Sequence, residues 1–334
     1  MTRRKLLKAV GAWLAITFLA VVGIITGLLW LGAEGNKRAV SQGQAQAPRE
    51  FRIIAQETTW LLGPNMPVAA WTYNGTVPGP EIRVKEGEAV RIIFKNELPV
   101  ATTLHPHGVE VPNAMDGVPG LTQPAVPPGE TFIYEFIARP AGTHFYHTHG
   151  SQMGRDEAAQ MDKGLYGALI IEPREEQPMR EYTVILDDWM VPASQMTTTS
   201  SPHGGHASPS PMPEEGSPGK ALETYNVFTL NGKAFPATQP LVVRQGERVR
   251  LRLINVSSMS FHPMHLHGHQ FKVVATDGNP VPAAAQVTKN TITVMPGESY
   301  DIEFLADNPG TWLFHCHELH HADGGMATVV QYEQ

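Results

Sequence analysis

The segments that decide the fold are PPGETFIYEFIARPAGTHFYHTH, residues 127–149, and MPGESYDIEFLADNPGTWLFHCH, residues 295–317. Each contains a Pro-Gly turn, a run of alternating apolar and polar side chains, a second turn, and a short apolar run that ends on a His-x-His pair. Alternation with a period of two predicts half-buried strands, and turn residues between two such runs predict a hairpin. Because the two segments match along their length, they indicate two copies of one β-domain.

A second pair of matching blocks lies upstream. Residues 81–98, EIRVKEGEAVRIIFKNEL, correspond to residues 240–257, PLVVRQGERVRLRLINVS, and each block leads to a His pair followed by glycine. A chain of 334 residues with 31 Gly and 28 Pro suits two domains of short strands and tight turns. We therefore predict an all-β chain, with domain 1 over residues 51–175 and domain 2 over residues 176–334.

The histidines form an unusual pattern. Five His-x-His pairs occur among 15 histidines, whereas random placement would give about 0.7. Four of the pairs occupy equivalent places in the two copies, and side chains two apart on a strand point to the same face, so each pair forms a metal clamp. Imidazoles without surrounding thiolates suit copper, although zinc and iron stay open. The candidate ligands in these clamps are His105, His107, His147, His149, His265, His267, His315 and His317.

The single cysteine predicts a second kind of centre. Cys316 lies between two clamp histidines, so its sulfur faces the opposite side of the strand. His321 and Met326 follow it by five and ten residues, and His262 precedes the third clamp by three. Two His, one Cys and a weak axial Met are the ligands of a blue-copper electron-transfer site. A buried structural thiol is the alternative.

The first copy lacks this second centre. Thr148, Met153 and Ala158 stand where the second copy has Cys316, His321 and Met326. Domain 1 keeps only its clamps, which make sense if they share metals with the clamps of a second domain. We therefore predict metal ligation across a domain interface.

The motifs HPHG (105–108), YHTH (146–149), HPMHLHG (262–268) and HCHELHHADGGM (315–326) together resemble the four copper motifs of multicopper oxidases. The resemblance runs from about Phe51 to Gln334. It implies cupredoxin-like Greek-key β-sandwich or barrel domains and four copper ions per functional unit, namely one type 1, one type 2 and two type 3. It assigns type 1 copper to His262, Cys316, His321 and Met326, type 2 copper to His105 and His265, and the type 3 pair to His107, His147, His149, His267, His315 and His317.

The resemblance also implies an activity. A small reductant would be oxidised one electron at a time at type 1 copper, with Cys316 in the electron path, and O2 would be reduced to water. Asp116 matches the family's acidic residue near the O2 site, although a turn-forming Asp before Gly117 is the alternative. The reductant stays open between phenols or aromatic amines and Cu(I), Mn(II) or Fe(II). Small laccases, the two-domain relatives, form homotrimers, so we expect a homotrimer with interchain trinuclear sites.

The N-terminus predicts export. Basic residues at positions 3–8 precede Ala9–Ala33, a stretch without charge that is long enough for a membrane helix. Positive charge before the span places the rest of the chain outside the cytoplasm. We predict an anchor over residues 1–33 and a polar spacer over 34–50, on the extracytoplasmic face of the membrane. If the segment is cleaved, the protein is secreted or periplasmic. Residues 194–220, rich in Ser, Thr, Pro, Gly and Met, predict a flexible loop.

Other functions are less well supported. A net charge of -7 without a long basic run after the N-terminus argues against a nucleic-acid partner. A copper nitrite reductase would also combine two β-domains with blue copper, but its Cys would lie in the first domain. A non-catalytic copper carrier or store could use the same ligands without consuming O2.

Overall fold

The computed structural model describes residues 47–153, 155–175, 178–192 and 225–333. After Ala47 these residues form one compact unit. The predicted anchor, residues 34–46 of the predicted spacer and the predicted loop 194–220 lie outside the described residues. Within the described ranges, no helix combines the length and the apolar character needed to cross a membrane.

Domain 1 contains two four-stranded sheets. The first has the strand order β2-β1-β4-β6 and the second the order β3-β8-β7-β5. The β1–β4 and β3–β8 pairs are parallel and the others antiparallel, so the chain crosses repeatedly between the sheets. The strands are β1 (Arg49–Gly63), β2 (Met66–Tyr73), β3 (Ile82–Lys85), β4 (Ala89–Asn96), β5 (His105–His107), β6 (Thr131–Ile137), β7 (Gly142–His147) and β8 (Tyr166–Glu172).

Domain 2 also contains two sheets. One has the order β10-β9-β12-β18-β14-β15, with β16 on β14, and the other has the order β11-β20-β19-β13-β17. The strands are β9 (Arg180–Trp189), β10 (Val227–Leu230), β11 (Leu241–Val243), β12 (Arg248–Asn255), β13 (His262–Leu266), β14 (Phe271–Thr276), β15 (Asn279–Pro280), β16 (Thr288–Lys289), β17 (Thr291–Val294), β18 (Ser299–Leu305), β19 (Thr311–Cys316) and β20 (Ala327–Tyr332).

The two domains share one topology. Strands β10, β9, β12 and β18 repeat the order of β2, β1, β4 and β6, and β11, β20, β19 and β13 repeat that of β3, β8, β7 and β5. The equivalent pairs β9–β12 and β11–β20 are again parallel. The prediction of an all-β chain with Greek-key, cupredoxin-like sandwiches is therefore confirmed.

The two α-helices are short, and each follows the His-x-His pair that ends the second matching segment of its sequence copy. Helix α1 (Glu157–Met161) follows β7, and helix α2 (Leu319–Asp323) follows β19. The described residues also include two 3-10 turns, at Asn113–Met115 and Ala283–Ala285. Helix α1 begins ten residues after β7 ends and helix α2 begins three residues after β19 ends, so the two helices do not occupy equivalent positions of the repeat.

The cores follow from the alternating pattern. In β4, each second residue is buried, which places Ile92 and Phe94 inside the first sandwich. A third cluster joins the domains, with Phe145 and Ile170 of domain 1 packed among residues that include Ile254 of domain 2. Burial of these apolar side chains holds the two sandwiches together.

A buried ionic network crosses the same junction. Arg252, 3% exposed, lies 2.9 Å from Asp301 and 2.8 Å from Glu181, both in domain 2. Its Nη1 also donates to Thr143 Oγ1 at 2.7 Å, and Thr143 belongs to β7 of domain 1. The strand that carries His147 is thereby fixed to domain 2.

Candidate metal centres

The cysteine centre comprises His262, Cys316, His321 and Met326. Cys316 is fully buried at the end of β19, inside the domain 2 core with Met326. Its Sγ lies 3.9 Å from His262 Nδ1 and 3.6 Å from His321 Nδ1, and the two Nδ1 atoms are 3.2 Å apart. The Met326 carbonyl accepts a hydrogen bond from Cys316 N at 3.0 Å. The structure thus brings together the four residues that the sequence proposed.

Two carboxylates contact the far sides of these imidazoles. His262 Nε2 lies 3.2 Å from Asp188 Oδ1, and His321 Nε2 lies 3.2 Å from Glu318 Oε2. A carboxylate at one ring nitrogen favours a proton there and leaves the lone pair on the other nitrogen. The two Nδ1 lone pairs then face each other beside the thiol, an arrangement that a bound cation would stabilise. Soft sulfur with two imidazoles fits copper.

Burial sets the protonation of the cysteine centre. It raises the pKa of the Cys316 thiol to about 12. Burial, with His262 nearby, lowers the pKa of His321 to about 4, so this imidazole is neutral at neutral pH. Burial alone would raise the pKa of Asp188, but His262 and Ser257 hold it below its usual value. Metal binding must therefore displace the thiol proton, while His321 is ready to bind.

The first histidine group comprises His105, His107, His147 and His149. Strands β5 and β7 pair with His105 opposite His147, so both clamps meet on one face. The ligand nitrogens of His105, His107 and His147 lie within 4.8 Å of one another. His149 follows the end of β7, and its ring centroid is 5.5 Å from that of His105. Its Nδ1 lies 3.1 Å from Glu157 Oε2.

Backbone carbonyls orient two rings of this group. His105 Nδ1 lies 2.5 Å from the Asp116 carbonyl and 3.5 Å from the Asp116 carboxylate. Gly117 allows this approach, because a Cβ there would overlap the Leu104 carbonyl. His147 Nδ1 lies 2.6 Å from the Thr148 carbonyl. Because a carbonyl only accepts, Nδ1 carries the proton in both rings and Nε2 is left for a metal.

Burial also lowers the pKa of three imidazoles of this group. It lowers the pKa of His107 to about 4 and that of His147 well below its usual value, with neighbouring imidazoles adding to both shifts. Burial likewise lowers the pKa of His105. Neutral imidazoles are the form that binds metal ions.

The second histidine group comprises His265, His267, His315 and His317. Strands β13 and β19 pair with His265 opposite His315, the same register as in domain 1. His267 Nε2 lies 3.1 Å from His315 Nε2, while His315 Nδ1 faces the Cys316 carbonyl at 2.8 Å. The His317 ring centroid is 5.4 Å from that of His265. The four imidazole rings of the second histidine group therefore also converge.

The two histidine groups face different surroundings. The first lines a cavity of about 470 Å³ whose other wall includes Asn255, Ser257 and Gly297 of domain 2. The second group is not among the described residues that line this cavity. Instead, His265 borders a separate opening with His269 and Asn290.

Sequence reasoning missed several contacting residues. Asp188, Glu157 and Glu318 each touch a candidate ligand, and Phe228 stacks on His321 with ring centroids 4.1 Å apart. Asp187–Asp188 interrupts the otherwise apolar run VILDDW, so an acidic pair in a buried strand was the available signal. No comparable pattern marks Glu157 or Phe228.

Two cupredoxin-like sandwiches, a His2Cys centre and two four-histidine groups define a metalloprotein of the blue-copper type. Comparisons with known proteins narrow this class. Sequence models of the multicopper oxidase family match residues 54–176 and 208–334. The crystal structure of blue copper oxidase from Nitrosomonas europaea is 32% identical, with a TM-score of 0.70, and the match covers 85% of this chain and 86% of that one. The chain belongs to the multicopper oxidase family.

Other similarities are narrower. Copper resistance protein A of Escherichia coli is 30% identical over 273 residues, which are 70% of this chain and 42% of that protein. The chain spans about half the length, or less, of the first curated relatives it matches. Copper nitrite reductase from Nitrosomonas europaea is 22% identical, with a TM-score of 0.68 and coverage of 86% of this chain and 94% of that one, a likeness in fold.

Proposed function

We propose that this protein is a copper-dependent oxidase that couples one-electron oxidation of a small reductant to four-electron reduction of O2 to water. The observation that carries the proposal is strand β19. Its Cys316 points into the core toward His262 and His321, whereas His315 and His317 on either side belong to the second histidine group. A single strand thus joins a one-electron centre to a multihistidine centre.

The donor sets support an assignment of four copper ions per functional unit. We assign type 1 copper to the cysteine centre, type 2 copper to His105 and His265, and the type 3 pair to His107, His147, His149, His267, His315 and His317. When bound, these ions supply single-electron uptake at the cysteine centre and O2 binding and reduction at the histidine groups. Asp116, which contacts His105, is our candidate for the acidic group of the O2 site.

The side of the cysteine centre that a reductant reaches is defined by exposure. The side chain of His262 is 0% exposed, that of His321 is 14% exposed and that of Glu318 is 37% exposed. A reductant would therefore approach along His321. Phenols, aromatic amines and the metal ions Cu(I), Mn(II) and Fe(II) are the candidate classes, and a carboxylate at this position favours cationic ones.

Each chain carries two four-histidine groups that face different surroundings, which supports an assembly of several chains. The first histidine group faces Asn255, Ser257 and Gly297 of its own chain across the cavity. Eight-histidine sites would form if domain 1 of one chain met domain 2 of the next, and a closed ring of three satisfies this head-to-tail contact. We propose a homotrimer, tethered by residues 1–33 to the extracytoplasmic face of the membrane. Sedimentation of the detergent-solubilised, copper-loaded protein should give three chain masses, and an active, fully metallated monomer would contradict it.

Oxygen-electrode kinetics test the activity directly. The copper-loaded protein is supplied with a phenol, an aromatic amine, Cu(I), Mn(II) or Fe(II), and electrons delivered are compared with O2 consumed. We expect four electrons per O2 without accumulation of peroxide. Turnover with nitrite but not with O2 would support the nitrite reductase alternative. Stoichiometric copper binding without turnover of any reductant would support a copper carrier or store.

A further inference from the structure

The Glu157 carboxylate of domain 1 lies near the Nδ1 atoms of the second clamp in the first histidine group. Glu157, the first residue of α1, places Oε2 3.1 Å from His149 Nδ1 and Oε1 4.0 Å from His147 Nδ1. The Glu157 side chain is 32% exposed and lies at the edge of the 470 Å³ cavity. It is the acidic residue among those that line this cavity.

The partners of the other clamp imidazoles explain why this contact matters. Four of them turn Nδ1 toward a backbone carbonyl at 2.5–2.8 Å, and these are His105, His147, His265 and His315. His149 instead has a buried Nδ1 with no hydrogen-bond partner of good geometry among the described residues, and the Glu157 carboxylate lies 3.1 Å from it. A side chain thus takes the place that a carbonyl takes elsewhere, and a side chain can be substituted.

Helix α1 holds Glu157 in place through a network of hydrogen bonds. The Asp156 carboxylate accepts from Ser151 N at 2.9 Å, from the Ser151 hydroxyl, and from Gln160 Nε2 at 3.0 Å. Gln160 is buried, accepts from Thr148 Oγ1 at 3.0 Å and donates to the Ala101 carbonyl at 3.1 Å. The helix is therefore tied to the residue between the two clamp histidines, which limits movement of Glu157 relative to His149.

The loop that carries Glu157 can be compared with the equivalent loop of domain 2. The loop after the clamp supplies His321 and Met326 to the cysteine centre in domain 2, whereas domain 1 has Met153 and Ala158 there. Glu157 stands at the position of Gly325. The loop of domain 1 has no cysteine centre to complete, and its carboxylate reaches the histidine clamp.

We propose that Glu157 is a positioning residue of the O2 site, which accepts a hydrogen bond from His149 Nδ1 and thereby presents His149 Nε2 to copper. This inference rests on the proposed function. Carboxylates that hold a metal-binding His in this manner fix its tautomer and ring orientation, and their loss weakens metal affinity or activity about 10–100-fold. The effect should be confined to the histidine groups, because the cysteine centre lies in the other domain.

The test compares Glu157→Ala and Glu157→Gln with Glu130→Gln, a change at an exposed turn residue. Apparent Cu(II) affinity is measured by chelator competition on the full-length protein, with the blue absorption band and thermal unfolding followed in parallel. The blue centre is also reduced anaerobically, and its reoxidation by O2 is timed from the return of the blue band. The Glu157→Gln side chain keeps the size and one acceptor oxygen of the carboxylate.

We expect Glu157→Ala to bind the copper ions outside the blue site about 10–100-fold more weakly. Its blue band and anaerobic reduction should match wild type while reoxidation slows. Glu157→Gln should recover part of both losses, and Glu130→Gln should change neither. Wild-type copper affinity and reoxidation in Glu157→Ala would overturn the inference. Equal loss of the blue band and of thermal stability in both Glu157 variants would also overturn it, since Glu157 would then only support the fold. Wild-type protein that binds blue copper alone would instead refute the proposed function.

Discussion

At the scale of single residues, each imidazole of the cysteine centre has a carboxylate near its Nε2, and the two carboxylates differ in exposure. Asp188, which contacts His262, is 1% exposed, and Glu318, which contacts His321, is 37% exposed. A charge in the low-dielectric interior acts strongly on its surroundings, whereas an exposed one is weakened by water and salt. We therefore expect Asp188 to influence the redox properties of the centre more than Glu318 does.

Asp188→Asn tests this expectation. The substitution keeps the size of the side chain but removes a negative charge 3.2 Å from His262 Nε2. Negative charge favours the oxidised metal, so the reduction potential of the blue centre should rise. Redox titration of the blue band measures it, with Glu318→Gln as the matched exposed change and a smaller expected shift. An unchanged or lowered potential in Asp188→Asn would show that Asp188 does not act on the centre.

The sequence predicted the candidate ligands because their spacing is local. His315 and Cys316 end strand β19 and His317 follows directly, so the alternation of their side chains follows from strand geometry. Asp188 contacts His262 from a strand in another sheet, so its role follows only from tertiary packing. No periodicity in the sequence encodes that proximity.

At the scale of elements, strand register decides which residues converge. His105 faces His147 and His265 faces His315, because β5–β7 and β13–β19 pair in the same register. A slip by one residue would turn each clamp to the opposite face of its sheet. The apolar residues that alternate with the clamps, such as Phe314 and Met264 in the domain 2 core, oppose such a slip because it would expose them.

Gln160→Ala tests the network that holds α1. It leaves the Ala101 carbonyl without its Gln160 donor and the Thr148 hydroxyl with only Thr102 Oγ1 at 2.8 Å, so it should cost about 1–3 kcal/mol of unfolding free energy. Chemical denaturation measures the loss. Gln152→Ala, on the exposed surface of the same loop, should change stability by about 0.5 kcal/mol or less. Equal losses in both variants would mean that the Gln160 side chain contributes nothing specific.

Strands were easier to predict than the short helices. The alternating run in β4 appears directly in its burial, with Val90, Ile92 and Phe94 inside. Helix α1 has only five residues and depends on Asp156, which accepts from Ser151 N, and on Gln160, which donates to the distant Ala101 carbonyl. Such a helix is fixed by tertiary hydrogen bonds, and its own sequence carries little information about it.

At the scale of the whole molecule, the domains are joined by an apolar cluster and by Arg252. This guanidinium bonds Glu181, Asp301 and Thr143, and it is 3% exposed. Removing one member of a buried ionic network leaves the others uncompensated. The junction also carries β7, so its integrity bears on the position of the first histidine group.

Arg252→Ala should therefore lower the free energy of unfolding by about 3–5 kcal/mol, because the buried Asp301 carboxylate loses its ion-pair partner and Glu181 keeps only Arg83. Arg248→Ala, on the same strand, removes an arginine that is 61% exposed and 3.6 Å from Glu303, so it should cost about 1 kcal/mol or less. Denaturant unfolding of both variants gives the comparison. A loss in Arg252→Ala no larger than that in Arg248→Ala would contradict a structural role for the buried network.

The most direct test of the central claim is the absorption and copper content of fully copper-loaded wild type and Cys316→Ser. We expect a thiolate-to-Cu(II) charge-transfer band in wild type. Cys316→Ser should lose this band and oxidase turnover together while retaining copper at the histidine groups. A wild-type protein with its full copper complement but no such band, or a Cys316→Ser protein that keeps it, would contradict the claim that Cys316 connects the two centres.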